Sequence, residues 1–296
     1  MSTPLPKLGL GTVQFGLDYG VSNARGRTPS PEVPLILERA AAAGVGVIDT
    51  APAYGDADVI VGQSLPRPCP FLVVTKVSSP ADVDAAEHQA RASLANLGLD
   101  QAYAVLVHSA ADLEGQRGVE LWARLRRLQA KGLFRKIGIS AYASDDPVRL
   151  ARRWKPDLMQ LPVSLLDQRL VLEGALERLA DMGVEIHLRS IFLQGLLFLP
   201  PERMPPELAS AAPRLVQIRS QLALAGVHPL EAALHYALAR PEASAVVAGV
   251  TGLPELEALL AAARAPAPDL DWSDLRLDDP FALDPHRWAA SSQRAA

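Results

Sequence analysis

The sequence predicts a single closed (β/α)8 TIM barrel followed by a C-terminal extension. Three observations carry that expectation. Short β-branched runs alternate with longer amphipathic stretches from end to end, eight such runs can be found, and no Gly/Pro-rich linker divides the chain into halves. With 296 residues, 49% of them apolar, the chain can bury a core of that size. An open doubly wound sheet would normally show a glycine-rich turn after its first strand and an acidic residue about 20 positions on. Here Gly9-Leu10-Gly11 runs into Thr12-Val13-Gln14 without the third glycine.

The elements follow in order. The first strand is expected over Lys7–Gly11 and the first helix over Pro31–Ala43. A second strand, Gly46–Asp49, and a third, Phe71–Val77, precede a helix over Ala81–Leu97. The fourth strand is expected over Ala102–His108. In the helix expected over Val119–Leu133, Leu121, Trp122, Leu125 and Leu128 recur at helical spacing against a face of Arg124, Arg126, Arg127 and Lys131. The fifth strand, Ile137–Ser140, leads to a helix over Asp146–Trp154. The sixth, Leu158–Pro162, leads to a helix over Leu172–Met182. After the seventh strand, Glu185–Ser190, the proline-rich stretch Pro200–Pro213 reads as a loop entering a helix around Leu215–Ala225. Helix Pro229–Leu238, strand Ser244–Val250 and helix Leu253–Ala263 complete the repeat. Residues 1–264 therefore read as the barrel. Residues 265–296 form a tail of weak periodicity whose Trp272, Phe281 and Trp288 either fold over the barrel mouth or pack on outer helices.

Bulk properties exclude several function classes. A net charge of −4 gives no basic excess for nucleic acid or anionic lipid. A single cysteine, Cys69, excludes an internal disulfide and fits a reducing cytoplasm. The six histidines form no HxH, HExxH or close pair, so no metal site is expected. The opening segment lacks a basic stretch followed by a long apolar one, and no run approaches the roughly 18 apolar residues of a spanning helix.

The chemistry concentrates in Asp49, Tyr54, Lys76 and His108, each at or just past the end of an expected strand. Barrel enzymes place reacting groups there, where the βα loops converge. Alone, each has an ordinary structural reading: a solvated Lys, a satisfied His, a packed Tyr, an Asp capping the next helix. Together they can tune a phenol to donate a proton. A free phenol, near pKa ~10, is a poor acid at neutral pH, and a neighbouring ammonium is expected to lower that value. Asp49 would keep Lys76 charged, and a neutral His108 would orient a substrate oxygen. This is the equipment needed to reduce a carbonyl with a nicotinamide hydride.

The chain resembles the aldo-keto reductases from about Leu8 to Ala263. Gly11-Thr12-Val13-Gln14-Phe15-Gly16 is similar to the family's first-strand turn, and Asp49-Thr50-Ala51-Pro52-Ala53-Tyr54-Gly55 to its Asp-Thr-Ala-x-x-Tyr-Gly signature. Asp58-Val59-Ile60-Val61-Gly62-Gln63-Ser64-Leu65 and Lys131-Gly132-Leu133-Phe134-Arg135-Lys136-Ile137-Gly138-Ile139-Ser140 match two further motifs. The resemblance implies a proton donor in Tyr54, tuned by Lys76 and Asp49, with His108 binding substrate. It implies a small-molecule carbonyl or alcohol as substrate and an extended nicotinamide dinucleotide, NADP(H) or NAD(H), across the barrel mouth. It counts Gly11, Thr12 and Asp49 among the cofactor-binding residues and gives the carboxamide to Ser140 and Gln160. Ser190 and the turn through Phe192, Gln194 and Gly195 would approach the pyrophosphate, and Gly249, Thr251 and Gly252 the adenosine end.

Three departures from the family pattern bear on function. Ser140-Ala141 stands where Ser-Asn is usual. Arg189, counted with the cofactor-binding residues, occupies the position where the family commonly stacks an aromatic on the nicotinamide ring; a guanidinium plane can still stack but favours a neutral reduced ring or an anionic substrate. After the eighth strand no basic residue precedes Arg264 to meet a ribose 2′-phosphate, so weaker NADPH discrimination than usual is expected. Arg189 and Ala141 also keep open a second reading: a nucleotide-binding regulatory or interaction protein on the same scaffold, with a protein partner and little turnover.

Overall fold

Side chains alternate along a strand, so every second residue of a barrel strand faces the interior and the others face the surrounding helices. The computed structural model describes residues 5–78 and 83–288 of the chain, and this alternation organises all of it. Strands β1 (Leu8–Gly11), β2 (Val47–Asp49), β3 (Leu72–Val77), β4 (Ala102–Val107), β5 (Phe134–Ser140), β6 (Leu158–Pro162), β7 (Glu185–Arg189) and β8 (Ala243–Gly249) close into one parallel barrel in sequence order. The closure pairs Gly11 with Gly249, and neighbouring registers pair Gly11 with Asp49, Ser140 with Gln160, and Pro162 with Arg189.

Outward-facing Leu8, Ile48, Val105, Ile137, Met159, Ile186 and Val246 join the helix side chains Leu37, Leu97, Leu121, Leu125, Leu179 and Leu256 in one continuous core. Each large side chain so buried contributes roughly 1.5–3 kcal/mol. A second, separate cluster of Val47, Val74, Ala104, Leu106, Leu158 and Ala245 fills the barrel interior, which is a packed plug and not a pore. Below it Glu185 accepts from Tyr103 Oη at 2.7 Å and from Lys136, and lies 2.8 Å from His187 Nε2. Burial would raise the Glu185 carboxyl, but those bonds hold it down to about 2. This ionised group anchors three strands at the barrel floor.

Several expected boundaries move for identifiable reasons. β5 begins at Phe134, not Ile137: Arg135 and Lys136 interrupt the apolar run in sequence, but Phe134 pairs with Ala102 and Lys136 with Ala104 on β4, and Lys136 reaches Glu185 inside. The helix expected to end at Leu133 spans Gly115–Ala130, and Gly132, with φ 76°, turns the chain toward β5. The helix expected over Leu172–Met182 is cut by Gly174 into Arg169–Leu172 and Ala175–Asp181. The proline-rich stretch holds two short 3-10 turns, Pro201–Arg203 and Pro206–Ala211, before helix Ala212–Leu224. The start of the helix expected at Ala81 lies outside the described residues; from Val83 it runs to Leu97. No described helix is long and apolar enough to cross a membrane.

In the tail, Trp272 packs edge-on against Tyr236 of helix Pro229–Leu238, with ring centres 5.9 Å apart. Trp288 is buried and donates to the Phe281 carbonyl, while the His286 ring packs tilted at 48° against Tyr142, ring centres 4.4 Å apart, beside the barrel mouth.

Candidate active site

The interior plug and the polar mouth are linked by a two-residue step. Asp49 follows Val47, Lys76 follows Val74, His108 follows Leu106 and Gln160 follows Leu158, so each polar residue inherits the inward face of an apolar one. Lys76 is 1% exposed, yet every proton of its ammonium has an acceptor. Nζ donates to Asp49 Oδ2 at 2.7 Å, to the Thr50 carbonyl at 3.1 Å and to Tyr54 Oη at 3.1 Å. The second Asp49 oxygen accepts from Gln160 Nε2 at 2.6 Å. A buried charge persists only when paired and hydrogen-bonded in this way.

Tyr54 lies in the loop after β2, and its position depends on a close backbone approach. A Cβ on Gly16 would sit 1.8 Å from the Tyr54 carbonyl oxygen, so only glycine lets the two loops meet. The following helix, Ala57–Ser64, carries buried Asp58 in its first turn, which accepts from Thr50 Oγ1 and Ser93 Oγ at 2.6 Å each. Burial raises the Asp58 carboxyl against those two bonds. Through Thr50, the same network fixes the carbonyl that Lys76 uses.

Electrostatics correct one expectation. The Tyr54 phenol is raised, not lowered: its burial outweighs the opposing Lys76 ammonium, and Asp49 adds to the rise. Tyr54 therefore holds its proton at neutral pH. The Lys76 ammonium is raised, since Asp49 and Tyr54 overcome the burial that would neutralise it.

His108 meets Tyr54 edge-to-face with ring centres 5.8 Å apart. Burial, then the Lys76 charge, pushes its imidazole down to about 4, so it is neutral at pH 7. An unfolded histidine titrates near ~6.5 and binds the extra proton first, so the stability tied to His108 falls as pH drops from about 6.5 toward 4. An NMR titration should place the His108 midpoint below pH 5; a midpoint near ~6.5 would show an ordinary solvated imidazole.

The tetrad floors a recess of about 290 Å³ that opens into a trough of about 750 Å³, the two sharing Gln14, Tyr19, Phe192, Gln194 and Gly249. Gly11, Thr12, Asp49, Ser140, Gln160, Arg189 and Ser190 line the recess, and Gly195, Thr251 and Gly252 line the trough. The residues expected at the site thus border one connected hollow.

Two buried amide oxygens in it, Gln160 Oε1 and Gln14 Oε1, have no partner among the described residues. Gln160 Oε1 beside the Ser140 hydroxyl offers an acceptor and a donor suited to a carboxamide. After β7, Ser190, Leu193 and Gln194 adopt left-handed φ of 57°, 47° and 54°, followed by Gly195 at 86°. A Cβ on Gly195 would lie 1.7 Å from Ser22 Oγ. Such strain, roughly 1–3 kcal/mol per non-glycine residue, concentrates where backbone N–H groups face a ligand.

Sequence reasoning overlooked Gln14, Tyr142, Arg25 and Glu32. Gln14 was visible only as part of a motif. Tyr142 carries the Arg189 guanidinium 4.4 Å from its ring centre. Arg25 donates to the Thr251 carbonyl at 2.8 Å, so a basic residue does reach the loop after β8, though it is tied to Glu32 in the same contact. Contacts that span more than 200 positions leave no local signal.

Residues 7–276 match the model of the Aldo/keto reductase family. An aldo-keto reductase of Mycolicibacterium vanbaalenii is 34% identical over 105 residues, covering 34% of this chain and 37% of the relative. One of Mycolicibacterium smegmatis is 30% identical over 126 residues, covering 41% of this chain and 44% of the relative. The matches thus span less than half the length of these curated relatives. Among solved structures, the holo form of an aldo-keto reductase from Bacillus halodurans superimposes with a TM-score of 0.71 at 22% identity, covering 88% of this chain and 87% of that one. A Pseudomonas aeruginosa protein described as an aldo-keto reductase gives 0.65 at 24% identity, covering 87% and 89%. At such identities these structures speak for the fold.

Proposed function

The chain belongs to the Aldo/keto reductase family, and from that premise we propose that it reduces an aldehyde or ketone to an alcohol, or the reverse, with Tyr54 as the proton donor. The observation that carries this reading is the fully buried Lys76 ammonium bridging Asp49 and the Tyr54 hydroxyl. A module that only bound nucleotide would have no use for a buried cation against a phenol.

A bound reduced nicotinamide dinucleotide would supply a hydride to the carbonyl carbon. Tyr54 Oη gives its proton to the carbonyl oxygen, where negative charge develops. Lys76 Nζ, already donating to that hydroxyl, stabilises the phenolate left behind, and solvent returns the proton. Asp49 keeps Lys76 charged and aimed. Neutral His108 offers a second polar contact to the carbonyl oxygen without adding charge. Ser140 and Gln160 would hold the carboxamide, and the strained turn after β7 the pyrophosphate.

NAD(H) is the cofactor best supported at the adenosine end. There the Thr251 N–H donates to Glu255 at 2.7 Å and the Leu253 N–H to Glu32 at 2.8 Å. The N-terminus of helix Leu253–Arg264 is thus occupied by two carboxylates, which would repel a ribose 2′-phosphate. Arg25, the nearby cation, is already committed to Glu32. Fluorescence titrations should show NADH binding at least about tenfold tighter than NADPH, a gap that Glu32→Gln combined with Glu255→Gln narrows. An NADPH preference would overturn this assignment and give the 2′-phosphate to Arg203, which lines the trough without a carboxylate partner among the described residues.

A further inference from the structure

Arg189 is the one charge in the recess that the catalytic cluster leaves unanswered. It ends β7 on the inward face, two residues past His187, at the level where Pro162 pairs with it from β6. Its guanidinium donates from Nη1 to Ser190 Oγ at 3.1 Å and from Nη2 to the Ala141 carbonyl at 3.3 Å, and it lies over the Tyr142 ring. Nε is buried with no partner. All of these contacts are neutral, and no carboxylate among the described residues pairs with Arg189. The other charges in the recess cancel, Lys76 against Asp49 at 2.7 Å, and His108 is uncharged near neutrality. One positive charge therefore remains, walled by Tyr19, Tyr142 and Phe192. Leaving such a cation half-buried and unpaired costs stability unless a ligand brings the counter-charge.

Two anions could answer it, the dinucleotide pyrophosphate or a group on the substrate. Arg189 lines the recess floored by Asp49, Tyr54, Lys76 and His108, beside Ser190 at the start of the turn assigned to the pyrophosphate. It shares that recess with the Tyr54 hydroxyl and the His108 imidazole, where the carbonyl would be reduced, and its charge acts on both. A single uncompensated charge matches a carboxylate, whereas a phosphate monoester on the substrate would bring about two. Resting on the reductase reading above, we propose that the substrate is an oxo acid, a carbonyl compound whose carboxylate is held by the free edge of the Arg189 guanidinium while Tyr54 and His108 hold its carbonyl oxygen. The planar fork suits a carboxylate, and the Tyr142 ring holds that fork in orientation. The reaction is then conversion of an oxo acid to a hydroxy acid, with the hydride going to the carbonyl carbon and the Tyr54 proton to its oxygen.

The test uses matched pairs on the full chain. Turnover of 4-oxobutanoate is compared with that of butanal, and calorimetric binding of 4-hydroxybutanoate to the cofactor-free protein with that of butan-1-ol. The wild type should favour the carboxylate member by about tenfold or more in kcat/KM, mainly through KM, and should bind 4-hydroxybutanoate selectively. In Arg189→Met both ratios should fall by about tenfold or more, and Arg189→Lys should recover part of each.

Equal kcat/KM for the two carbonyls, with binding indifferent to the carboxylate, would overturn the carboxylate site and leave the reductase reading standing. A larger gain for glyceraldehyde 3-phosphate over glyceraldehyde than for the carboxylate pair would overturn it in favour of phosphate. Absent turnover of every carbonyl, with carboxylate binding present and lost in Arg189→Met, would uphold the site and overturn the reductase reading. An unchanged carboxylate preference in Arg189→Met, with weakened titration by reduced dinucleotide, would move Arg189 to the cofactor and end the proposal.

Discussion

Tyr54→Phe is expected to lower turnover by about 10²–10⁴-fold while leaving the binding of reduced dinucleotide close to wild type. The substitution removes one hydroxyl and little volume. Lys76 keeps two of its three acceptors, Asp49 and the Thr50 carbonyl, so the buried charge remains paired. The loop should also hold, because Tyr54 is fixed by its backbone: its N–H donates to the Ala51 carbonyl at 2.9 Å and its carbonyl accepts from Ala57 at 3.2 Å. The stability cost should be about 1 kcal/mol, that of one ordinary hydrogen bond. Stopped-flow measurement of hydride transfer, alongside a fluorescence titration of the same preparation, separates the outcomes. Transfer at the wild-type rate would remove Tyr54 from proton donation. Joint loss of transfer and cofactor binding would mean that the phenyl ring fails to hold the recess together, a structural role instead of a chemical one.

Much of this was legible in the sequence because a barrel converts spacing into position. Asp49, Lys76 and His108 end apolar runs, and a period of two carries them from a packed interior to its rim. Whatever depended on partners far apart was not legible. Helix Ala57–Ser64 holds in its first turn an aspartate, Asp58, whose burial makes sense only once Thr50 and Ser93 are seen beside it. Lys136 looked like an interruption of β5 until Glu185 appeared across the barrel floor. The Tyr54 phenol was expected to be lowered because Lys76 is visible in the sequence. The burial that outweighs Lys76 belongs to the assembled mouth. Arg25 and Glu32, more than 200 positions from the loop they brace, bring a cation and a carboxylate there that no count of the loop's own residues includes.

Replacing Lys76 with methionine should reach further, because it removes the group on which both the charge balance and the phenol depend. Asp49 would be left 5% exposed with only Gln160 Nε2 as a side-chain donor. Breaking a buried pair from one side costs about 3–5 kcal/mol, so a clear fall in thermal midpoint is expected. Turnover should fall at least as far as in Tyr54→Phe, since Tyr54 would remain buried beside a bare carboxylate with no ammonium to stabilise its phenolate. Activity and stability would then fall together, and either loss alone could account for the other. Adding Asp49→Asn separates them. With both charges gone the site holds only neutral groups, and removing both ions of a buried pair is often neutral or even stabilising. The double variant should recover most of the lost thermal midpoint in calorimetry and none of the lost turnover. Recovery of turnover as well would mean that Lys76 only keeps the barrel mouth in shape, and that Tyr54 needs no ammonium to give up its proton.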